Sequence, residues 1–87
     1  VTARVEASIS GDVMPAATYP TLANAMDALR QVADVEAWLP AWHSTMRALA
    51  PAAEPGIRAV LERDGRWTAP LQVGHRAHET EMLIRWA

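Results

Sequence analysis

The chain has 87 residues, enough for one domain, with ten acidic and eight basic side chains and a formal net charge of −2. It has no Cys, so no disulfide can brace it, and no apolar run approaching about 18 residues, so no segment reads as a membrane-spanning helix. The negative balance argues against a protein that holds nucleic acid by bulk electrostatics.

A chain this short buries roughly 60% of the surface its unfolded form exposes, so packing or a partner must supply its stability. Apolar residues are 51% of the sequence, but 18 of them are Ala. The large side chains therefore matter, above all Trp38, Trp42, Trp67 and Trp86, since each indole can bury about 150–250 Å². All eight basic residues are Arg and Lys is absent. GC-rich coding explains that usage and points to a high-GC bacterium or its phage. Selection for bidentate contacts to carboxylate or phosphate is the alternative.

Val1, Ala3, Val5, Ala7 and Ile9 alternate with polar residues, which predicts a strand over 1–9 with one apolar face. Gly11-Asp12 breaks it, and residues 12–19 read as a connection. Residues 18–21 open a helix, with Pro20 suited to its first turn. Leu22, Met26, Leu29 and Ala33 recur on one helical face.

A second apolar series runs through Val35, Trp38 or Leu39, Trp42, Met46 and Leu49, with Pro40 inside it. Proline is costly in a helix interior and tolerated in the first turn, so the first helix ends near Glu36 and the second begins near Leu39. A single kinked helix is the alternative. A third helix starts at Glu54-Pro55, buries Ile57, Val60 and Leu61, and stops at Gly65.

Trp67, Ala69, Leu71 and Val73 then alternate over 66–73, and Met82, Ile84 and Trp86 over 79–86, around a turn at 74–78. Pro70 has no amide donor, which puts its strand at a sheet edge and the last strand between it and the first. The expectation is a single α+β domain over 1–87. Its three-stranded, mostly antiparallel sheet is covered on one face by helices, in the order β-α-α-α-β-β.

Chemistry-bearing constellations are weak. His75, His78 and Glu79 form His-x-x-His-Glu in the last turn, but without the helical spacing of a two-His zinc motif, so no metal and no cofactor are expected. Adjacent helical side chains point about 100° apart, so His43-Ser44 is not a nucleophile–base pair. Glu62 with Asp64 diverge at a helix end, and Glu79 with Glu81 sit beside Arg85 as ordinary strand charge balance. No catalytic residue is assigned, and no enzymatic activity is expected.

The sequence favours a non-enzymatic protein-binding module. It would be an inhibitor or regulator encoded by a phage or mobile element and docking on a host complex. Trp38 and Trp42, one helical turn apart, read first as core residues, and the alternative, that at least one is exposed, makes them the candidate anchors, since Trp is enriched where binding energy concentrates. Leu83 and Arg85, on the sheet face away from the helices, form a second candidate strip, and an exposed strand edge offers a route to a homodimer. Arg58, Arg63, Arg66 and Arg76 gather near the third helix and the hairpin. They support a second class, a DNA-binding regulator with winged-helix-like element order. A small-molecule binder or enzyme using a pocket between helices and sheet is the third. No signal-peptide pattern is present at the start, so the cytosol is the expected location.

Overall fold

The computed structural model describes residues 4–74 and 80–87. The elements are β1 (Val5–Ile9), β2 (Met14–Tyr19), α1 (Leu22–Glu36), α2 (Leu39–Ala48), a 3₁₀ turn (Pro51–Ala53), α3 (Glu54–Asp64), β3 (Arg66–Leu71) and β4 (Thr80–Trp86). The class is α+β, as expected, but the sheet has four antiparallel strands rather than three, in the order β2-β1-β4-β3.

The extra strand is β2, which lies where the sequence reads as a connection. Gly11 and Asp12 both take positive φ, 72° and 61°, and fold the chain straight back on β1. A side chain at position 11 would also lie 3.2 Å from the Thr80 methyl, a second reason for glycine there. Ile9 pairs with Met14 and Ala7 with Ala17, so β2 holds one residue more than its partner over that span. Pro15 lies in this bulge, where the ladder is already interrupted.

β4 is central, paired with β1 from Val5↔Trp86 to Ile9↔Met82 and with β3 from Arg66↔Arg85 to Leu71↔Thr80. The edge position expected of the Pro70 strand is therefore observed, although that strand ends at Leu71 rather than residue 73. The turn expected at 74–78 falls largely on residues outside those described.

Alternation on the strands sorts the two sheet faces. Val5, Ala7, Ile9, Met82 and Ile84 are buried beneath the helices together with Leu22, Met26, Leu29, Ile57 and Leu61. Glu6, Ser8, Thr68, Leu83 and Arg85 occupy the opposite face, and none of them is fully buried.

α1 is capped by Thr21, whose hydroxyl accepts the Asn24 amide at 3.1 Å; Pro20 precedes the cap rather than sitting in the first turn. α3 ends at Gly65 with φ 79°, whose amide donates to the Leu61 carbonyl at 2.8 Å. The Trp86 indole N–H donates to that same carbonyl at 3.1 Å and pins α3 to the sheet.

A candidate partner-binding surface at the α1–α2 corner

Ala37 and Trp38 are both extended, with ψ of 135° and 134°, and this two-residue break separates α1 from α2. Pro40 then falls in the first turn of α2, where its missing N–H has no helical partner to lose. The Trp38 amide donates to the Gln72 carbonyl at 2.7 Å and ties the break to the chain just after β3. The Trp42 indole N–H donates to the Asp34 carboxylate at 2.9 Å, and the Arg30 guanidinium donates to the Leu49 carbonyl at 3.0 Å. Positions 34 and 30 on α1 thus meet 42 and 49 in reverse order, so the helices run antiparallel with both ends of α2 fixed.

The apolar series expected to define one face of α2 is divided by this geometry. Leu49 is fully buried and Met46 packs on the core. Val35 and Leu39 are 78% and 76% exposed, the large apolar side chains most open to solvent among the described residues. Trp38 and Trp42 are half-buried and lie outside the set packed on the core, whereas Trp67 and Trp86 belong to it. The His43 ring is exposed and meets the Trp42 ring edge-on at 5.1 Å.

The corner therefore carries two solvent-facing aliphatic side chains and two tryptophans off the main core. Large apolar side chains left in water at neighbouring positions are where a site of association is sought. Sequence periodicity misses Val35 and Leu39 as surface: it groups Val35 with the apolar series of α2, although on α1 that residue lies opposite the buried stripe, and for Leu39 spacing alone does not show whether anything covers it.

The other sequence candidates lie elsewhere. Leu83 and Arg85 are on the far side of the sheet from the Trp pair, so the four partner-binding candidates form two surfaces, not one. Leu83 is flanked across the strands by Ser8 and Thr68, and Arg85 pairs with Glu6 at 3.0 Å, which leaves that face polar. Each sheet edge carries a proline, Pro15 on β2 and Pro70 on β3, and so lacks one backbone donor for pairing with another strand.

Arg58, Arg63 and Arg66 are exposed, and Arg76 lies outside the described residues. Arg63 is engaged by Asp64 at 3.0 Å, a contact that raises the Arg63 pKa and holds the Asp64 carboxyl below its ordinary value. Glu54 and Glu62 share the same helix, so the arginines face acidic neighbours rather than forming a continuous positive surface. The wing tip expected at residues 74–78 lies almost wholly outside the described residues.

His75, His78 and Glu79 also lie outside the described residues; within these, no three His, Asp or Glu side chains converge as metal ligands. A groove of about 330 Å³ runs between α2 and the end of β3, walled by Ala41, Ser44, Thr45 and Ala48 with Met82 and Ala69 beneath. Among the described residues no ionisable side chain lines it. Among the described residues no helix is long and apolar enough to cross a membrane.

Comparison of the chain with protein-family models, with curated proteins and with solved structures found no match.

Proposed function

We propose that the protein is a non-enzymatic binding module that docks another protein on the α1–α2 corner, and that it serves as a small accessory or inhibitory component of a larger complex. The observation that carries this reading is the three-quarters exposure of Val35 and Leu39 beside two tryptophans held off the core. Covering those side chains removes apolar area from water at about 25 cal/mol per Å². The half-buried indoles supply rigid contact surface at low entropic cost. Hydrogen bonds from Trp42 and from the Trp38 amide hold the corner in place before any partner arrives, which lowers the cost of association.

The test is quantitative affinity purification from the native source with three baits: the wild-type chain, the Val35→Ser/Leu39→Ser double variant, and Leu83→Ser on the opposite face. A partner retained by wild type and Leu83→Ser but lost from the double variant supports the corner. Retention by the double variant and loss from Leu83→Ser moves the interface to the open sheet face and overturns the proposal.

A further inference from the structure

The charges around the corner point to the chemistry of what docks there. The last turn of α1 carries Asp34 and Glu36 and no basic residue. A helix C-terminus already bears partial negative charge, and cations, not carboxylates, are favoured beside it. Among the described residues neither Asp34, which accepts the neutral Trp42 indole N–H, nor the exposed Glu36 forms an ion pair. Arg30, one turn earlier, is already committed to Asp27 at 2.9 Å and to the Leu49 carbonyl. On the α2 side the nearby groups are His43 and, a turn further, Arg47 in that helix's last turn. Two carboxylates and a negative helix end therefore flank the exposed Val35 and Leu39.

Resting on the docking proposal above, we infer that the partner is a basic amphipathic segment of another protein. It presents Arg or Lys within about one helical turn of a bulky apolar side chain. The apolar side chain covers Val35 and Leu39 while the cation meets Glu36 and the α1 C-terminus. A second copy of this chain fits poorly, because a two-fold contact through the corner brings two negative corners together. An anionic lipid surface fits poorly for the same reason of sign.

The experiment selects binders to the purified chain from a displayed library of random peptides. The best synthetic peptide is then titrated into isotope-labelled protein by NMR and into the Glu36→Lys variant. The inference expects enriched Arg or Lys next to Leu, Phe or Trp, and shifts concentrated on residues 34–43. It also expects binding weakened about fivefold or more by Glu36→Lys, and weakened again by added salt. Lys is favourable at a helix C-terminus, so Glu36→Lys should keep the wild-type Tm and report on binding alone. Peptides that bind the corner without cationic residues, and equally well to Glu36→Lys, overturn the charge inference and leave the docking surface standing. Peptides whose shifts avoid residues 34–43 altogether overturn both.

Discussion

The four tryptophans fall into two pairs, one packed on the main core and one half-buried at the α1–α2 corner. Trp67 and Trp86 pack on the core, and Trp86 also bonds to the Leu61 carbonyl. Trp38 and Trp42 lie outside that core set and are half-buried, with Trp42 bonded to Asp34 across the helix pair, and Leu39 beside them is mostly in water. Substitution should follow that division. Ile84 is fully buried, and Ile84→Ala should cost about 2–5 kcal/mol by leaving a cavity. Leu39→Ala should change stability by no more than about 0.5 kcal/mol. Urea denaturation of the two variants checks both, and equal losses would mean that Leu39 is not exposed in solution. Gly65 is a third case: nothing lies within 4 Å of a side chain built there, so only its φ of 79° matters. Gly65→Ala should therefore lose about 1 kcal/mol through backbone strain alone.

At the scale of elements, helices were more legible than the edge of the sheet. Leu22, Met26, Leu29 and Ala33 lie on the buried side of α1 as their spacing predicts, and Pro40 and Pro55 fall in first turns. β2 was not legible, because Met14–Tyr19 has no alternation: a bulge interrupts it and four of its six residues are exposed. The available signal was Gly11-Asp12 directly after a clean strand, which is hairpin chemistry as much as it is a break. The two edge prolines should limit strand-to-strand association. The Pro15→Val/Pro70→Val double variant, which restores the missing donors, should sediment with a larger average mass than wild type at equal concentration.

The Asp27–Arg30 pair on α1 sets a pH dependence. Its hydrogen bond to Arg30 holds the Asp27 carboxyl below the ordinary value of 3.8 in the folded state. The contribution is thus fully present above that value and is lost as pH falls through the folded pKa. Asp27→Asn should remove that part of the acid-side decline in Tm, and the difference should shrink in high salt, because the pair is at the surface.

Across the whole molecule, the first and last strands lie side by side at the centre of the sheet, from Val5↔Trp86 to Ile9↔Met82. This was readable because both strands alternate cleanly and Pro70 excludes its own strand from the centre. The functional surface was only half readable. Trp38 and Trp42 stood out by residue type, and Val35 falls on the wet side of α1 with Asn24 and Gln31, but its place in an apolar series continuing into α2 hid that; the exposure of Leu39 at the start of α2 had no signal in the spacing. Placement of a photoreactive benzophenone side chain at position 39, and separately at position 83, in the native host tests this account most directly. A covalent adduct to one discrete partner from position 39, with none from position 83, is the predicted result. An adduct from position 83 with none from position 39 would place the interface on the open sheet face and contradict it.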